Sequence, residues 1–166
     1  MEAASTTATA KLLLSPGLSL LRLAKLWLLD NLHVLRHHNG SPLLHIYGPL
    51  DTSRRGGTIT MNFYDPNGRF FDHRFIEQET SKVNISLRTG CFCNPGGGEI
   101  ALGLSKTELV GCFTQAEDRL TIDDFRLCID GKSSGAVRVS VGLATNFADV
   151  HHFLQFAQGF RDKVTV

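Results

Sequence analysis

Between Leu18 and Leu35 the apolar positions recur at helical spacing. Leu21, Ala24, Leu28, Leu32 and Leu35 fall on one stripe, while Arg22, Lys25, His33 and Arg36 gather on another. This pattern predicts a helix, ended by Asn39-Gly40 with Pro42 just beyond. Leu26, Trp27 and Leu29 widen the apolar surface past what one neighbour would cover, so the helix is expected to be buried on more than one side. Arg22, Lys25, Asp30 and His33 interrupt the run, which leaves it short of the ~18 uninterrupted apolar residues of a spanning helix.

The period then changes from helical to two. "PLLHIYGP" reads as a short strand closed by Gly48-Pro49. After a polar loop holding Arg54, Arg55, Gly56 and Gly57, "TITMNFY" alternates Ile59, Met61 and Phe63 with Thr58, Thr60 and Asn62. "DPNG" supplies a turn, with Pro66 preset in φ and Gly68 free to turn left-handed. Residues 73–83 read as a short helix feeding the strand "NISLRT", where Arg88 falls on the polar face. The "SKTE" run from Ser105 to Glu108 is a capping box opening another helix, with Cys112 near its end. A polar, turn-rich insertion spans about 114–134. In "GAVRVSVG", Val137, Val139 and Val141 form an apolar face and Ala136, Arg138, Ser140 and Gly142 the other. Asn146 with Asp149 caps a last helix, whose Val150, Phe153, Leu154, Ala157 and Phe160 recur at helical spacing. The expected fold class is α/β or α+β, a small mixed sheet with flanking helices.

Composition changes little in this picture. A chain of 166 residues, 42% apolar and 20% charged, is one domain's worth of soluble globular sequence. The net charge of +1 is spread along the chain, so the basic footprint of a nucleic-acid binder is missing and neither nucleic acid nor membrane is an expected partner. No charged, apolar and small-residue regions follow one another at the start as in a secretory signal, so a reducing, cytoplasmic setting is expected. "MEAASTTATAK" faintly resembles an organellar transit peptide; a disordered or truncated start over 1–17 is the preferred reading, with a domain over 18–166.

Chemistry concentrates in "RTGCFCNPGGG", residues 88–98, where Cys91 and Cys93 sit on a glycine-rich loop instead of in a core. Zinc would want four ligands, and His37, His38, His151 and His152 offer no matching spacing; as helix neighbours they read as surface residues, and no metal is expected. Cys112 and Cys128 stand beside apolar residues and read as packing thiols. A nucleophile fits the loop best, because Arg88 and Arg138 can favour a thiolate, although a glycine turn that happens to carry cysteines stays open.

"LRTGCFCNPG", together with "DGKSSGAVRVSVGLATNFADVHHFLQF", resembles the carboxyl-terminal part of the cysteine-desulfurase-like region of molybdenum cofactor sulfurases. These belong to the class V aminotransferase group of pyridoxal-phosphate enzymes. "GSPLLHIYGPLDTSRRGGTITMNFYD" is similar to the start of that family's small domain, so the resemblance runs from about Leu18 to Phe160. It implies the α+β small domain of a class V transferase, with Cys93 as catalytic persulfide carrier, Cys91 as accessory thiol, and Arg88 and Arg138 near the substrate carboxylate.

Two departures qualify what the resemblance implies. The sulfurases often read "NPGAC" where this chain reads "NPGGG". None of Lys11, Lys25, Lys82, Lys106, Lys132 or Lys163 follows the Ser-x-His pattern of the cofactor-binding lysine, so pyridoxal phosphate is expected in the family but not to be held by this chain alone. Two expectations of function follow. One is a fragment of a pyridoxal-phosphate-dependent sulfurtransferase acting between L-cysteine and a sulfur acceptor. The other is a non-catalytic small domain, a truncated gene product or a docking partner for a related large domain.

Overall fold

A computed structural model describes residues 16–53, 55–92, 94, 96–115 and 134–165. Helix α1 (Pro16–Leu32) forms where the first apolar stripe predicts it. It buries Leu28, Leu29 and Leu32, and Leu35 joins them just beyond its end. Two antiparallel strands follow, β1 (Leu44–Tyr47) and β2 (Thr58–Phe63), with Ile46 opposite Met61. The "DPNG" turn closes as expected: Gly68 has φ +80° and its N–H donates to the Asp65 carbonyl at 3.0 Å.

Helix α2 (His73–Lys82) begins at Asp72, whose carboxylate accepts from the Arg74 N–H, and ends at Asn84 in the left-handed region (φ +56°). The chain then enters β3, which is only Arg88–Gly90; Ile85 and Leu87 precede it and pack half-buried against the core. Helices α3 (Gly97–Leu102) and α4 (Lys106–Gln115) come next, the latter opened by the Ser105–Glu108 box, with the Glu108 N–H donating to Ser105 Oγ at 3.2 Å. Strand β4 (Ala136–Ser140) and helix α5 (Phe147–Gln158) complete the described elements. The insertion expected over 114–134 lies almost wholly outside the described residues, as do 1–15 of the expected disordered start.

The four strands lie in the order β1-β2-β4-β3, and every pairing is antiparallel. The sheet is therefore not the mixed one expected. Each strand runs against its neighbours; β2 and β3 run the same way but are separated by β4, so the connection through α2 crosses over the place that β4 later fills. One face carries Ile59, Met61, Phe63, Val137 and Val139 into a core with Leu28, Leu32, Ile76, Phe153 and Phe160. Helices α1, α2 and α5 cover that face; among the described side chains none of α3 or α4 belongs to this cluster. Because a strand alternates sides, the opposite face is left with Tyr47, Thr60, Asn62, Arg138 and Arg88.

Two polar positions depart from the stripe reading. Lys25, assigned to the polar face of α1, is 5% exposed, and its ammonium donates to the Arg55 carbonyl at 2.7 Å. Burial, and after it the charges of Arg22 and Arg55, lowers its pKa. His37, expected at the surface, is buried: its Nε2 donates to the Tyr64 carbonyl at 2.9 Å and its Nδ1 accepts from the Asp162 N–H at 2.9 Å. A ring with one donor and one acceptor satisfies two backbone groups where an apolar side chain would orphan both. His38, His151 and His152 are exposed, as expected.

Candidate functional site

Register across the sheet puts four polar side chains in one row on the open face. Tyr47 pairs with Thr60, Thr60 with Arg138, and Arg138 with Arg88. A second row beside it holds His45 opposite Asn62 and Ala136 opposite Gly90. Small side chains thus floor a cavity of about 480 Å³ lined by Thr60, Arg88, Thr89, Gly90, Cys91, Phe92, Ala136 and Arg138. The close approach of β3 to β4 depends on Gly135, where a Cβ would come within 2.7 Å of the Gly90 carbonyl carbon and oxygen. Only glycine leaves room for that backbone.

Two arginines directly opposite each other on antiparallel strands repel, which costs stability unless an anion lies between them. Arg138 adds a second sign of the same demand: its Nε is buried and has no hydrogen-bond partner among the described residues. A buried donor left unmade is expensive, and a planar guanidinium satisfies its fork best against a carboxylate or phosphate. Two guanidinium groups in one row, one with an unmet donor, present the chemistry that a carboxylate or phosphate satisfies, and Thr60 and Tyr47 continue the row along the sheet.

Tyr47 is a fixed part of this surface. Its hydroxyl accepts from Asn62 Nδ2 at 3.1 Å, and its carbonyl accepts from Arg55 Nη2 at 2.7 Å. Burial, with lesser help from Tyr64, raises its pKa, so the phenol stays protonated and is a hydrogen-bonding group, not a base. Asn62 is only 1% exposed although the alternation put it with the polar residues; its amide also donates to the Gly135 carbonyl at 3.2 Å. Tyr47, Thr60, Asn62 and Phe92 were not singled out from the sequence. The alternation of "TITMNFY" placed Thr60 and Asn62 on one side, but only the register shows that this side is the one holding Arg138.

The structure brings Arg88 and Arg138 together and sets Cys91, exposed, at the same cavity. Cys93 lies outside the described residues. Cys112 is buried, but in a disulfide and not as the packing thiol expected; its partner, like Cys128, lies outside the described residues. Among the described residues no group of three or more His, Cys, Asp or Glu is placed to hold a metal ion, and no helix is long and apolar enough to cross a membrane.

The described lysines do not fit a pyridoxal-phosphate site. Lys25 is buried against the Arg55 carbonyl, Lys82 pairs with Glu79, and Lys163 lies 4.5 Å over the Phe160 ring. None of them, nor Lys106, lines the cavity of the two arginines. An amine there is what the cofactor's aldehyde needs.

Comparison with known proteins gives one consistent relationship. The chain is 37% identical over 129 residues to the molybdenum cofactor sulfurase of Solanum lycopersicum, which covers 78% of this chain and 15% of that protein. It is 40% identical over 128 residues to that of Oryza sativa subsp. japonica, covering 75% and 15%. With the sulfurase of Drosophila melanogaster it shares 42% over 132 residues, covering 78% and 17%. The chain is thus homologous to a segment of molybdenum cofactor sulfurases and spans only about a sixth of the length of these relatives. No protein-family model and no solved structure matches it.

Proposed function

We propose that this chain is the sulfur-carrying segment of a molybdenum cofactor sulfurase-type protein, a class V small domain in which Cys93 receives sulfur as a persulfide. The observation that supports it most is the Arg88–Arg138 pair beside the cysteine loop, with a buried guanidinium nitrogen that no described residue satisfies. These two side chains hold the carboxylate of L-cysteine or of a similar small donor. The Cys93 thiolate attacks the sulfur of L-cysteine, forming the S–S bond as the Cβ–S bond breaks and its electron pair passes to the carbon skeleton, which leaves as alanine; Cys91 is the accessory thiol beside it. The chemistry that frees sulfur from L-cysteine is that of pyridoxal phosphate held by residues other than those described here.

The test separates carrying from freeing sulfur. The purified chain is expected to show no aldimine absorbance of bound pyridoxal phosphate and, with the cofactor and L-cysteine added, to release no sulfide. With a pyridoxal-phosphate-dependent cysteine desulfurase and L-cysteine added, peptide mass should show one extra sulfur atom on Cys93, lost on Cys93→Ser. An unmodified Cys93, or sulfur accumulating on Cys91 alone, would remove the carrier assignment.

A further inference from the structure

We propose that Phe92 is the positioning residue of the cysteine loop, wedged between Tyr47 and helix α3, and that it holds Cys91 beside the arginine pair. The inference deepens the carrier reading and rests on it. Phe92 is the one aromatic side chain between Gly90 and Gly98. Its ring meets the Tyr47 ring edge to face, with centroids 5.2 Å apart and planes at 86°. On its other side a Cβ at Gly98 would stand 3.4 Å from Phe92 Cβ and 3.8 Å from Cδ2, so the start of α3 rests against it.

What Phe92 leans on is rigid. Tyr47 is held at its hydroxyl by Asn62, whose amide also ties to the Gly135 carbonyl, and at its carbonyl by Arg55. The described backbone around Phe92 brings few other side chains to that contact: Gly90 has φ +117° and Gly96 φ +83°, and Gly97 and Gly98 follow. Glycine offers no side-chain contact, so Phe92 supplies the large apolar contact at this point of the chain. Phe92 also shares the cavity with Arg88, Arg138 and Cys91, so its contact with Tyr47 keeps Cys91 beside the two arginines.

Hydrogen exchange read by peptide mass on the full chain tests this directly. Phe92→Ala should speed exchange in residues 91–98 by about 3–10-fold, the worth of one lost aromatic pair, while β2 and β4 keep their protection. Phe92→Tyr should restore the slow loop. Tyr47→Ala should reproduce the effect, and the Phe92→Ala/Tyr47→Ala double variant should add little to either alone. Sulfur uptake at Cys93 from a desulfurase should fall in Phe92→Ala and return in Phe92→Tyr. An unchanged loop, a speeding shared equally by β2 and β4, or additive effects of the two substitutions would overturn the proposal. Since exchange needs no sulfur donor, a loop that responds while Cys93 takes no sulfur even in the native chain counts against the carrier reading and leaves the pin in place.

Discussion

Asp65 shows how much one side chain can organise. Fully buried, it accepts from the Asn67 and Arg69 N–H groups through Oδ1 and from the Thr165 N–H and hydroxyl through Oδ2, tying the "DPNG" turn to the end of the chain. Burial pushes its pKa up, but these donors outweigh burial and the net shift is downward. A depressed carboxyl contributes stability above its unfolded pKa and loses it as pH falls through the folded value, here below about 4. Asp65→Ala should cost about 1–3 kcal/mol in urea denaturation at pH 7, and the gap to the native chain should narrow at pH 3. Arg88 gives the second residue-scale expectation. In the reduced protein, limiting iodoacetamide near neutral pH should label Cys93 first and Cys91 next, with Cys112 slow because it is buried. Arg88→Ala should slow labelling of Cys93, and no response would reduce the loop to a turn that carries cysteines.

Among the elements, the β3–β4 pair is the one most exposed to a small change. Three residues of β3 hold Arg88 against Arg138, and a Cβ on Gly135 would strike the Gly90 backbone, which cannot swing aside as a flexible side chain can. Gly135→Ala should therefore cost about 2–4 kcal/mol and raise exchange in β3 before β2, because β2 keeps β1 as a second neighbour. A cost under about 0.5 kcal/mol would mean that the strands part without penalty. Helix α5 makes a milder comparison. Its Asn146 side chain accepts from the Asp149 N–H at 3.1 Å and Asp149 returns the bond to the Asn146 N–H, so Asn146→Ala should cost about 1 kcal/mol. That box was legible in the sequence, as was the one at Ser105, because both are local and depend on spacing alone. The short β3 was not: "NISLRT" alternates over six residues, but only the last two reach a partner, joined by Gly90 beyond them.

At the scale of the whole molecule, α1 buries one side against α5 and leaves another bare. Trp27 is half-buried, edge-on to Phe147 at 4.8 Å, and Leu23, Leu26 and Phe147 around it stay exposed. Such a surface favours association. Trp27→Glu or Leu26→Glu should reduce self-association measured by sedimentation, and a native chain that stays monomeric at high concentration would count against a docking role for this face. Leu28, which the apolar stripe would equally have nominated, is a core residue at 2% exposure, so Leu28→Glu should unfold the domain instead.

The sequence by itself located α1, α2, α4, α5, β1, β2 and β4, because hydrophobic period, capping boxes and glycine turns act within a few residues of each other; α3, on the glycine run read as a loop, and the short β3 escaped it. It placed Val137, Val139 and the α5 stripe in the core and nominated Arg88, Arg138 and the cysteine loop as candidate chemistry. Only the tertiary structure decided what those residues face. Strand order and direction set Arg88 opposite Arg138, a pairing between positions fifty residues apart that no local pattern encodes. The same assembly took Lys25, His37 and Asn62 from polar stripes into buried sites, since a polar side chain may be buried wherever distant backbone groups lack partners, and those partners exist only once the chain has folded.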